Sequence, residues 1–115
     1  VTCVPMHKDT LRKRGYNQAE LLAKECARLL GIEYADLLVK TKKNKTQHSI
    51  KAAERAKNVI GVYSPIDKNL IKGKRILIID DIITTGSTLG ECARILNKCK
   101  CGEICCCTLC TSLLI

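Results

Sequence analysis

The stretch Ile76-Leu77-Ile78-Ile79 limits the possible folds of this chain more than any other. Four consecutive branched aliphatics offer water no polar face, so the segment reads as a strand buried on both sides, the habit of parallel sheets. It runs into two acids, Asp80 and Asp81, then two more aliphatics, then the small-residue loop Thr84-Thr85-Gly86-Ser87-Thr88. Leu89, Cys92, Ala93 and Leu96 follow on one helical stripe, and Thr88 with Glu91 predicts a capping box at the helix start.

A second helix is expected over 16–30, where Ala19, Leu22, Ala23, Cys26, Leu29 and Leu30 recur at helical period. Asn17 and Glu20 resemble a capping box there, and Gly31 sits at the C-cap. Short apolar runs at 36–40 and 59–64 read as strands, 52–57 as a short helix, and 104–110 as a last, buried strand. Residues 41–49 are polar and basic and read as a mobile loop. Strands alternating with helices predict an α/β fold with a mostly parallel sheet of about five strands flanked by helices. With 115 residues, the chain is read as one domain, 1–115.

The 20 Lys and Arg outnumber the 11 Asp and Glu, a formal +9 that favours polyanionic partners. Three Tyr with no Trp or Phe is too thin a supply for a surface that stacks single-stranded bases, so direct DNA binding rests on charge alone and is not favoured. No apolar run approaches the ~20 residues of a membrane span. The nine Cys are an odd number, and no secretion signal precedes them. Cys99 with Cys101, and Cys107 with Cys110, have the look of zinc-ligand pairs. On a strand, however, positions i and i+3 point to opposite faces, about 10 Å apart. The cysteines are therefore read as small buried hydrophobes in a reducing compartment, the cytoplasm.

Ligands of open α/β sheets bind beyond the carboxyl ends of the strands, where Asp80 and Asp81 fall. Thr84, Thr85, Gly86, Ser87 and Thr88 can turn backbone N–H groups and hydroxyls toward one point at a helix N-terminus, which suits a phosphate monoester. Gly86 permits a positive φ and close approach of the anion. Two carboxylates beside that cradle would repel a polyphosphate, so sugar hydroxyls or a Mg²⁺ ion are their expected partners.

The string from Ile76 to Thr88 resembles the signature of type I phosphoribosyltransferases, which bind 5-phosphoribosyl-1-pyrophosphate. Val4-Pro5, Arg14-Gly-Tyr-Asn-Gln-Ala-Glu-Leu-Leu-Ala23, Thr46-Gln47, Glu54-Arg55, Asn58-Val59 and Gly61-Val-Tyr63 precede it in that order. Together they resemble the ComF family, bacterial phosphoribosyltransferase-like proteins linked to DNA uptake. The resemblance implies that Asp80 and Asp81 are the catalytic pair that holds the ribose hydroxyls, with Mg²⁺ bound through substrate and through these acids. It gives the 5-phosphate to Thr84, Thr85, Gly86, Ser87 and Thr88, and the pyrophosphate loop to Pro5, Met6 and His7. A flap over the site would occupy 42–47. Arg14 and Arg55 are assigned either to pyrophosphate or to structural pairing. ComF proteins usually begin with a Cys-rich zinc module, and this chain starts after the point where that module ends. A C-terminal part of a longer ComF-like protein is therefore expected. Two functions stay open: transfer of ribosyl 5-phosphate to an unidentified nitrogen acceptor, or a non-catalytic binding module that works with a competence-protein partner in DNA uptake.

Overall fold

The computed structural model describes residues 1–42, 60–83 and 85–111. Along the chain lie β1 (Thr2–Cys3), α1 (Lys8–Arg14), α2 (Gln18–Leu30), β2 (Leu38–Lys40), β3 (Tyr63–Pro65), α3 (Lys68–Ile71), β4 (Arg75–Ile83), α4 (Ser87–Lys98) and β5 (Glu103–Thr111). The α/β architecture is the expected one. Three strands form a parallel sheet in the order β1-β4-β5, and β2 pairs with β3 in a separate antiparallel ribbon. The sheet gains a further neighbour beyond β1, where Val1 N–H donates to Glu33 O and Ala35 N–H to Val1 O.

β4 is central and buried on both faces, as its aliphatic run predicts. Ile76 and Ile78 pack into a core with Leu38, Tyr63, Cys92 and Leu96, while Ile79 enters a second core with Cys3, Ala19 and Ala23. Truncating a side chain as enclosed as Ile78 to Ala costs about 2–5 kcal/mol in cores of this kind.

Helix α2 starts where its sequence says. Asn17 Oδ1 accepts from the Ala19 N–H at 3.1 Å, and Gly31 closes the helix in the left-handed region. Asn17 Nδ2 also donates to Val4 O, tying this helix start to the exit of β1. The buried stripe is Ala19, Ala23 and Ala27, small residues that bring the helix close to the sheet. Leu29 and Leu30, expected in the stripe, are exposed at the helix end.

Two expectations are corrected. The Thr88–Glu91 capping box does not form, because the helix begins earlier, at Ser87, behind Gly86 as N-cap. The buried Glu91 carboxylate instead binds Arg94 and accepts the Gly61 N–H at 3.3 Å. The final strand is not buried either. Cys105, Cys106, Cys107 and Cys110 are exposed, whereas Cys3, Cys92 and Cys99 are buried. The reason is position: β5 is the last strand of the sheet, and β4 is its only strand neighbour among the described residues. From residue 43, the loop expected over 41–49 lies outside the described residues, as does the helix expected over 52–57.

Candidate functional site

β1 and β4 run in parallel with Thr2 opposite Ile78 and Cys3 opposite Ile79, so their carboxyl ends meet at one edge. Val4 N–H still donates to Ile79 O at 3.0 Å. Pro5 has no N–H to continue the ladder, so the chain leaves the sheet beside the acid pair. Met6 and Pro5 line a pocket of about 240 Å³ at this exit. His7 serves as the N-cap of α1, its Nδ1 accepting the Asp9 N–H at 3.1 Å, which occupies that nitrogen with a structural bond. Arg14 is exposed at the end of α1, and its guanidinium donates to Gln18 at 3.4 Å. Gln18 in turn borders a groove that Asp81 also lines. Arg55 and Thr84 lie outside the described residues, as do residues 43–47 of the expected flap.

Asp80 and Asp81 do not end β4; the strand continues through Ile83. Successive strand residues take opposite faces, so Asp80 belongs to the face of Ile76 and Ile78 and Asp81 to that of Ile79. Each carboxylate folds forward onto the next backbone N–H, Asp80 Oδ1 on Asp81 N and Asp81 Oδ1 on Ile82 N, both at 2.9 Å. Burial, reinforced by the adjacent Asp81 carboxyl, pushes the Asp80 carboxyl up to about 7. Lys40 opposes that rise.

The loop that follows approaches α4 through Gly86, at φ +82 and ψ 0. A Cβ there would meet nothing closer than Ile83 Cδ1 at 3.8 Å, so the constraint is conformational and not one of space. Gly86 itself makes no side-chain cap bond to α4, although the Ser87 N–H already meets the hydroxyl of Thr85. Thr85 Oγ1 lies 2.8 Å from Ser87 Oγ and accepts from Ser87 N at 3.3 Å. Burial pushes the Tyr63 phenol up, and against that rise the side chain of Thr88, which faces it, favours the ionised form. The result is a helix N-terminus ringed by hydroxyls, the arrangement that attracts anions.

Sequence reasoning missed Lys40 and Tyr63. Lys40 enters there only as the end of the apolar run 36–40, and Tyr63 only as part of a family block. The β2–β3 ribbon pairs them directly, and the Lys40 ammonium lies 5.8 Å from the centre of the Tyr63 ring. Tyr63 is buried at 4% exposure and Lys40 is half-buried; burial lowers the lysine pKa while Asp80 and the buried Cys92 raise it. The local signal was the position of Lys40 at the end of an apolar run. Lys40→Met removes the cation that favours ionised Asp80, so the Asp80 carboxyl should titrate higher than in the wild type. Carboxyl carbon shifts followed through a pH titration measure this; an unmoved or lowered midpoint would separate Lys40 from the acid.

Residues 17–113 match the model of the phosphoribosyl transferase domain. The chain belongs to the phosphoribosyl transferase domain family. Within it the chain is ComF-like. It is 38% identical over 103 residues to competence protein F of Haemophilus influenzae (strain ATCC 51907 / DSM 11121 / KW20 / Rd), covering 88% of this chain and 45% of that protein. It is 29% identical over 99 residues to the DNA utilization protein YhgH of Escherichia coli (strain K12), covering 85% of this chain and 43% of that protein. This phosphoribosyl transferase domain thus spans less than half the length of both curated relatives. Among solved structures it resembles the allosteric regulatory enzyme of purine biosynthesis, with a TM-score of 0.54 and 25% identity over 73% of this chain and 18% of the other. No helix among its described residues is long and apolar enough to cross a membrane.

Proposed function

We propose that this phosphoribosyl transferase domain binds 5-phosphoribosyl-1-pyrophosphate with Mg²⁺ and transfers its ribosyl 5-phosphate to a nitrogen nucleophile. The observation that carries the reading is the run of the acid pair on β4 into the Gly86-started N-terminus of α4. In this reading the 5-phosphate receives the first N–H groups of α4 and the hydroxyls of Thr85, Ser87 and Thr88. Thr84 belongs to the same loop by its place in the sequence. Asp80 and Asp81 accept the ribose hydroxyls. Lys40 lends positive charge on the β2–β3 side, and Pro5, Met6 and His7 border the pyrophosphate.

The residues present fit Mg²⁺. Among the described residues no cluster of three or more His, Cys, Asp or Glu could form an all-protein cage. Mg²⁺ is commonly held by one or two carboxylates together with substrate oxygens, and either Asp80 or Asp81, which take opposite faces of β4, would supply a hard oxygen ligand. Bound there, Mg²⁺ would neutralise charge on the departing pyrophosphate. In the transfer, the bond from the anomeric carbon to the pyrophosphate oxygen breaks with its electron pair leaving on pyrophosphate. The new carbon–nitrogen bond forms from the acceptor's lone pair, and the acceptor nitrogen then releases a proton. Positioning and electrostatic stabilisation supply most of the rate in such a step, which matches a site of N–H groups, hydroxyls, acids and a lysine.

Titration calorimetry with 5-phosphoribosyl-1-pyrophosphate should show one saturable site that needs Mg²⁺. Pyrophosphate release against a panel of bases and amines then identifies turnover. No heat of binding with the folded chain would end this reading. The second reading, a non-catalytic module in DNA uptake, is favoured by the names of the two relatives, a competence protein and a DNA utilization protein. Binding without pyrophosphate release against any acceptor is its expected signature.

A further inference from the structure

All 20 Lys and Arg lie in the first hundred residues; from Cys101 onward the only charged residue is Glu103. That stretch, uncharged beyond Glu103, is β5, the edge of the sheet among the described residues. Natural edge strands are kept from pairing with other chains by lysines, prolines or covering elements. Between Ile104 and Thr111 there is no Lys and no Pro, and Leu109 is 73% exposed. Beside it Leu21 and Ile82 are also exposed, and with Leu109 and Cys110 they line a groove of about 430 Å³.

We infer that β5 is an interface on which two copies of this chain pair edge to edge. A two-fold axis relating identical edges makes the pairing antiparallel and gives each copy the same contact. Charge selects this occupant. An acidic partner would find its complement on the lysine-rich remainder, not on this strand. A second copy meets β5 without bringing like charges together, even though each copy carries +9. Nine residues at ~3.3 Å each offer about 30 Å of edge, and Leu21, Ile82 and Leu109 widen the contact on one side. The three strands described in each copy would join into six, within the common size range of sheets. The inference does not depend on what the candidate site binds.

The test is the molar mass of the 115-residue chain by light scattering after gel filtration, with the thiols kept reduced. A mass twice 12.7 kDa is expected for the wild type at micromolar concentration. Cys107→Lys with Leu109→Lys, two exposed positions, should return a folded monomer that melts no higher than the wild type, because the stabilisation from pairing is lost. A monomeric wild type would overturn the proposal and leave the strand to a different partner, as would aggregates larger than a dimer or a dimer that survives both lysines. Should the double variant unfold, amide exchange on the wild type decides. Protection of the β5 amides should fall on dilution while that of β4 stays constant, and protection independent of concentration would rule the pairing out.

Discussion

Replacing both Asp80 and Asp81 with Asn should weaken binding of 5-phosphoribosyl-1-pyrophosphate at least tenfold and raise the melting temperature of the unliganded chain at neutral pH. The affinity loss follows from the proposed ribose and Mg²⁺ contacts. Hydrogen bonds to a charged acceptor are worth about 1.5–3 kcal/mol each, and tenfold corresponds to about 1.4 kcal/mol, so the stated loss is a floor. The gain in stability follows from the geometry. Asp80 is half-buried beside a second carboxyl, and its pKa rises from 3.8 to about 7. Between those values the folded chain holds a proton that the unfolded chain has released, so stability declines as pH rises. The contribution of the protonated acid is complete below about pH 4 and lost as pH passes about 7. Asn cannot ionise and escapes this decline. The melting-temperature advantage of Asp80→Asn alone should therefore open between about pH 4 and about pH 7 and level off above. A double variant that unfolds would make the acids structural. One that folds and binds as the wild type does would leave the phosphate loop standing and remove the ribose assignment.

The second large effect is expected at Gly86. Its φ of +82 lies in the left-handed region, which costs a residue with a Cβ about 1–2 kcal/mol. Gly86→Val should lose at least that much stability by denaturant titration, because a β-branched residue is strained further at this φ even though a Cβ alone meets no clash. It should also bind 5-phosphoribosyl-1-pyrophosphate more than tenfold less tightly, since relaxing the strain turns the first N–H groups of α4 away from a common point. Gly86→Asn separates the two effects. Asn tolerates the left-handed region and caps helices well, so stability should return. Its side-chain oxygen would take the N–H groups that the phosphate needs, so affinity should not. Wild-type affinity in the Val variant would show that the phosphate does not sit at this helix end.

Where neighbouring residues decide the outcome, the sequence alone was sufficient. Ile76 to Ile79 determined a strand buried on both faces, because no residue in the run has a polar side to present. Asn17 and Gly31 determined the ends of α2, since capping acts within a single turn. The positive φ that Gly86 permits is present for the same local reason, although α4 starts behind that glycine and not at the expected Thr88–Glu91 box. Glu91 was claimed instead by Gly61, thirty residues away in the chain, and by Arg94. Tertiary structure also brought Lys40 and Tyr63 to Asp80, through pairing of β2 with β3 across 22 intervening residues. The exposure of Cys105, Cys106, Cys107 and Cys110 was decided in the same way. A run of apolar strand residues reads alike at the centre of a sheet and at its rim. Whether it is covered depends on the order of strands, which local periodicity does not encode.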